Sequence, residues 1–163
     1  MRADRSEHTC CFLGHRTIAE TEELKTRVRA IVERLIVDEQ VDTFLFGSKS
    51  RFNDLCHELV TALREQYPHI RRIYVRAEFP EIGESYGRYL AADYEDTYYP
   101  ERVVGAGRAV YVQRNCEMIE QSRFCVVYYD EAYTPVGRKS GTKIAYDYAV
   151  RQGRRIYVLP EKA

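Results

Sequence analysis

The sequence predicts an α/β domain of three layers, with a mainly parallel sheet of about five strands and helices on both faces. Two observations carry this. Short apolar runs of strand length alternate with longer runs whose apolar residues recur at helical spacing. Two of the strand-like runs also end in glycine, followed by a polar loop that leads into the next helix. Strands that alternate with helices in this way pair in parallel through right-handed crossovers.

Taken in order, Thr9-Cys10-Cys11-Phe12-Leu13-Gly14 is the first buried strand. His15-Arg16 follows, and Thr17-Ile18-Ala19-Glu20 has the spacing of a capping box, which predicts a helix start there. Leu24, Val28, Ile31, Val32 and Leu35 then share one helical face. Residues 42–47 form a second strand ending in Gly47, and Ser48-Lys49-Ser50-Arg51 is the loop after it. Phe52, Leu55, Cys56, Leu59, Val60 and Leu63 mark a second amphipathic helix, stopped by Tyr67-Pro68. Residues 72–76 read as a third strand.

The rhythm breaks over residues 77–110, which hold Pro80, Gly83, Gly87, Pro100, Gly105 and Gly107 together with Tyr86, Tyr89, Tyr94, Tyr98 and Tyr99. A helix is expected around residues 86–94 and an extended excursion over the sheet elsewhere. Long segments of this kind serve as lids, binding loops or interfaces. Order returns with a helix opened by Arg114-Asn115-Cys116-Glu117-Met118-Ile119 and ending near Gln121-Ser122. Residues 124–129 are the next strand, Lys143 to Val150 begin an amphipathic helix that runs to Gln152, Gly153 is its C-terminal cap, and residues 155–159 are the last strand. Neither an internal repeat nor a linker divides the chain, so residues 1–163 are read as a single domain.

Composition narrows the function classes. Lysine plus arginine and aspartate plus glutamate both number 25, so no global basic field points to nucleic acid as a partner. No apolar run approaches the ~20 residues of a membrane span, and the charged first residues argue against a secretory leader. A cytoplasmic protein without membrane attachment is therefore expected. The cysteines, Cys10, Cys11, Cys56, Cys116 and Cys125, are odd in number and mostly sit in apolar runs, which fits reduced core thiols. The histidines, His8, His15, His57 and His69, lack metal-ligand spacing; His57 and His69 read as surface residues, and neither a metal nor a cofactor is called for.

The most informative stretch is Val136-Gly137-Arg138-Lys139-Ser140-Gly141-Thr142, between an apolar strand and an amphipathic helix. A helix opening at Ser140-Gly141-Thr142 would present unpaired N–H groups and the positive end of its dipole, with glycine admitting an anion close to the backbone. Arg138 and Lys139 add full charges. In an open parallel sheet, ligands bind beyond the carboxyl ends of the strands. Gly14-His15-Arg16, Gly47-Ser48-Lys49-Ser50 and Ser140-Gly141-Thr142 should converge at that edge. The patterns GxxxxGK[ST], GxGxxG and GxSxG are all missing, which disfavours a P-loop nucleoside triphosphatase, the usual dinucleotide fingerprint and a nucleophile elbow.

Cys10-Cys11-Phe12-Leu13-Gly14-His15-Arg16, Phe46-Gly47-Ser48 leading to Phe52, Arg114-Asn115 with Met118-Ile119, and Ser140-Gly141-Thr142 occur in an order that resembles the SLOG superfamily of Rossmann-like domains. That group includes the Lonely Guy phosphoribohydrolases and the DNA-processing protein A domain. The resemblance is strongest to a bacterial branch with a TCxTGHR-like start and runs from Thr9 to about Leu159. It implies a Rossmann-like domain that binds or senses a nucleotide or nucleotide-derived ligand. The implied site comprises Gly14, His15, Arg16, Gly47, Ser48, Arg114, Asn115, Ser140, Gly141 and Thr142. Enzymatic members resemble a PGGxGTxxE pattern. Here Gly141-Thr142 matches its GT pair, Arg138-Lys139-Ser140 replaces the preceding Pro-Gly-Gly, and the glutamate position falls on Ala145. Loss of that carboxylate argues against hydrolysis and leaves phosphate binding intact, with Glu117 and Asp130 as carboxylates to be placed. Two alternative readings follow from the same resemblance: an N-glycoside hydrolase of nucleoside monophosphates, and a DNA-binding accessory domain. Related enzymes are dimers, and the tyrosine-rich segment from Tyr86 to Tyr99 suits an interface, so a homodimer is expected.

Overall fold

The computed structural model describes residues 5–47, 49–133 and 140–161. Among these, six strands form one sheet in the order β4-β3-β2-β1-β5-β6, with every pairing parallel. They are β1 (Thr9–Gly14), β2 (Thr43–Phe46), β3 (Arg71–Val75), β4 (Asp96–Tyr98), β5 (Phe124–Tyr128) and β6 (Arg155–Leu159). The helices are α1 (Glu22–Asp38), α2 (Arg51–Leu63), α3 (Glu84–Asp93), α4 (Val110–Glu120) and α5 (Gly141–Arg151). This is the expected three-layer, Rossmann-like architecture, with six strands in place of about five. The extra strand is β4, in the segment read as an excursion. It has three residues, of which only Tyr98 packs, partly buried, against the core, so it carries no apolar run.

The central strands are buried on both faces, and their side chains alternate between two cores. Cys10, Phe12, Phe44, Phe46, Phe124, Val126 and Tyr128 pack against the apolar stripes of α1 and α2. Cys11, Leu13, Leu45, Cys125 and Val127 face Met118 and Ile119 of α4 and Ala145 and Ala149 of α5. The five cysteines are buried free thiols, and Cys11 Sγ lies 3.6 Å from Cys125 Sγ across paired strands. No helix of the described residues is long and apolar enough to cross a membrane.

Two helix starts differ from the sequence reading. The cap of α1 is Thr21, whose hydroxyl accepts from Leu24 N at 3.0 Å, four residues beyond the capping-box match at Thr17. Thr21 stands directly before the apolar stripe, so the N–H groups that need capping are within its reach. Residues 17–20 instead cross the sheet edge, where Ala19 N donates to the Tyr128 hydroxyl at 3.1 Å and Glu20 accepts from Arg51 at 2.7 Å. Helix α4 opens at Val110, four residues before Arg114, so Arg114 lies one turn inside it.

Candidate functional site

The strand order reverses between β1 and β5. Chains leaving the carboxyl ends of these two strands turn in opposite directions, which opens a crevice. Here it is a cleft of about 590 Å³. Gly14, His15, Arg16 and Thr17 line it from the end of β1, and Lys49 and Ser50 from the loop before α2. Tyr111, Arg114 and Asn115 of α4, and Ser140, Gly141, Thr142 and Ala145 of α5, complete the wall. Of the residues implied by sequence, Gly47 stands behind Arg114 and not on the cleft surface, while Ser48, Arg138 and Lys139 lie outside the described residues.

The opening of α5 has the geometry of an anion site. Ser140 Oγ accepts from Lys143 N at 3.0 Å, and the Ser140 carbonyl accepts from Ile144 N at 3.1 Å. The serine is thus the helix cap, and the N–H groups of Gly141 and Thr142 have no acceptor among the described residues. A Cβ built on Gly141 would meet nothing within 4 Å among the described residues. The surrounding protein leaves room at this position for a side chain that the sequence does not place there.

Arg114 supplies the charge. It is only 5% exposed. Its Nη1 donates to the Gly47 carbonyl at 2.6 Å, its Nε and Nη2 each reach Asn115 Oδ1 at 3.3 Å, and its guanidinium lies over the Tyr111 ring at 5.5 Å. Among the described residues it forms no ion pair with a carboxylate; the charge of Glu78 acts on it only from beyond contact distance. Burial lowers its pKa, but an arginine starts so high that it stays cationic. A buried cation without a carboxylate partner is costly unless an anion joins it.

Two glycines that sequence reasoning placed in the site act through packing. A Cβ on Gly14 would fall 2.5 Å from the Phe52 ring, and a Cβ on Gly47 would fall 2.8 Å from Arg114 Cδ and 2.9 Å from the Val75 carbonyl. Gly14 lets α2 seat on β1, and Gly47 lets the arginine stem cross the end of β2.

His15 is also engaged. Asp130 N lies 3.0 Å from His15 Nε2, so in the tautomer protonated on Nδ1 the ring accepts that N–H. Burial lowers its pKa, and the neighbouring Asp130 carbonyl opposes this only in part. His15 therefore ties the ends of β1 and β5 together. His57, read as a surface residue, packs edge-on to Phe46 at 5.2 Å with Nε2 2.9 Å from the Asp93 carbonyl.

Ala145 lines the cleft. No carboxylate lines the cleft among the described residues. Glu117 accepts from the Tyr98 hydroxyl at 2.9 Å, and Asp130 Oδ1 accepts from Ala132 N at 3.0 Å; neither reaches the cleft. Tyr111 was not identified from the sequence. It precedes Arg114 by three residues, one helical turn, and would have been found had the helix been drawn from Val110.

No protein-family model matches the chain, and no curated protein matches it either.

Proposed function

We propose that this protein binds or senses a nucleotide or nucleotide-derived ligand, with a phosphate at the opening of α5. The observation that carries the reading is Arg114. A buried guanidinium with no carboxylate partner among the described residues stands on the same cleft as two unpaired helix N–H groups. Phosphate satisfies both, because it is an anion and accepts several hydrogen bonds at once. Arg16 and Lys49 add positive charge around the same space. The resemblance to SLOG domains supports the same ligand class. The absence of a carboxylate from the described wall of the cleft, with alanine at position 145, favours binding over hydrolysis.

The test is calorimetry with adenosine 5′-monophosphate on wild type, Arg114→Ala and Gly141→Asp. A charged hydrogen bond contributes roughly 1.5–3 kcal/mol, so Arg114→Ala should weaken binding about tenfold or more. Gly141→Asp should be worse, because it adds bulk and like charge where phosphate would sit. Equal affinities for all three proteins would move the site elsewhere. Incubation of wild type with the nucleotide should release no free base; release would support the hydrolase alternative.

A further inference from the structure

A second hollow of about 610 Å³ adjoins the first and shares Lys49, Tyr111 and Arg114 with it. Its character is different. Aromatic rings dominate it: Tyr74 stands 5.2 Å from Tyr94, Phe79 5.5 Å from Tyr86, and Tyr86 is stacked on Tyr89 at 6.2 Å. Two of these rings remain open at the mouth, Phe79 being 55% and Tyr89 67% exposed. Phe79 is moreover held in the left-handed backbone region, with φ of 60°, and its carbonyl accepts from Arg76 Nη1 at 2.9 Å. A bulky residue in that conformation is strained, and such strain persists where the surrounding structure fixes a side chain in place. The partition between the hollows is tied across its top by Glu78, which accepts from the Tyr111 hydroxyl and lies 3.7 Å from Lys49 Nζ. Arg51, Glu58, Asp54 and Asp93 also line the aromatic hollow; Arg51 is paired with Glu58 and Lys49 with Glu78, while neither aspartate is in an ion pair among the described residues.

We propose that this aromatic hollow holds the base of the same ligand whose phosphate sits at α5, and that it prefers a base carrying an exocyclic amino group. The inference rests on the phosphate reading above. Open aromatic faces stack on any planar ring, and a shared wall lets one molecule span both hollows. The unpaired carboxylates accept hydrogen bonds and donate none, so they favour an amino group over a carbonyl at the ring edge.

The experiment compares ribose 5-phosphate, adenosine 5′-monophosphate and inosine 5′-monophosphate by calorimetry on wild type, Tyr89→Ala, Phe79→Gly and Asp54→Asn. On wild type the adenine nucleotide should bind on the order of tenfold more tightly than ribose 5-phosphate, and more tightly than the inosine nucleotide. Tyr89→Ala and Phe79→Gly should erase the gain from the base and leave ribose 5-phosphate binding unchanged. Phe79→Gly relieves a left-handed residue, so its thermal midpoint should not fall below wild type, which separates lost binding from lost folding. Asp54→Asn should narrow the adenine preference. If ribose 5-phosphate binds and the base adds nothing, the base site is wrong and the phosphate site stands. If no phosphate compound binds wild type, both readings fall. If Tyr89→Ala converts a dimer to a monomer in light scattering and leaves the base contribution intact, the surface is an assembly interface and the inference is overturned.

Discussion

Arg114 and residue 47 compete for one space. The guanidinium donates to the Gly47 carbonyl at 2.6 Å, while the arginine Cδ lies 2.8 Å from where a Cβ on residue 47 would sit. Gly47→Ala should therefore displace the arginine or push on the backbone of β3. A loss of about 1–3 kcal/mol is expected from this overpacking. Urea denaturation would show that loss, and calorimetry should show nucleotide affinity falling with it. Wild-type affinity in a destabilised Gly47→Ala would mean that the Arg114 position is not used for binding.

Gly141 should behave in the opposite way. Its φ lies outside the left-handed region and a Cβ there meets nothing among the described residues, so Gly141→Ala should fold at least as well as wild type. Removing a glycine from a compatible backbone position stabilises by about 0.4–1 kcal/mol, mainly by restricting the unfolded chain. Phosphate binding should nonetheless weaken, because the methyl group would crowd the helix opening. Thermal melts and calorimetry on this one variant would separate the two effects.

The pH dependence of stability carries the signature of His15. Burial lowers its folded pKa below the usual histidine value of about 6.5. The unfolded chain then binds more protons than the folded one between those two values. Stability from this residue is fully present above about pH 6.5 and is lost as pH falls toward the folded value. His15→Gln should flatten that part of the stability–pH curve in denaturant titrations at stepped pH. An unchanged slope would show that the imidazole is not held neutral.

At the far edge of the sheet, Arg72 is 5% exposed and donates to Glu95 through Nε at 3.0 Å and Nη2 at 2.7 Å. Glu95→Gln would leave that guanidinium without its counter-charge, at a cost on the order of 2 kcal/mol, because the carboxylate is partly open to solvent. Burial of Glu95 opposes ionisation, but hydrogen bonds from Arg72 outweigh it and lower its pKa. This contribution is present above the unfolded glutamate pKa and fades as pH drops through the folded one. Wild type and Glu95→Gln should thus converge in stability at strongly acid pH, which denaturant melts there would reveal.

Much of this architecture could be read from residue order because its central strands are buried on both faces. Thr9–Gly14, a central strand, and Arg155–Leu159, an edge strand, both match the structure end to end, since runs closed by glycine or proline leave little choice of boundary. Strand β4 could not be read, because it is three residues long and only Tyr98 packs, partly buried, against the core. Residues that line the cleft were legible where the local pattern itself demands a small residue or a helix cap, as at Gly14 and Ser140. Their roles were less so. That Gly14 faces Phe52 and Gly47 faces Arg114 depends on contacts between distant parts of the chain. Tyr111 and the aromatic hollow beside it escaped for the same reason: their meaning lies in where α3 and α4 come to rest, and no short motif records that.

The seat of Phe52 against Gly14, 2.5 Å from an absent Cβ, also constrains how this sequence can drift. Bulk at one position must be given up at the other, so neither can change alone without opening a void or forcing α2 off the sheet. Among sequences descended from this one, an alanine or serine at residue 14 should appear together with a smaller side chain at residue 52. A lineage that crossed between those pairs one step at a time would pass through an intermediate with a disturbed loop after β1. The two positions should therefore be inherited as a unit, although the whole first crossover and strand β2 lie between them in the chain.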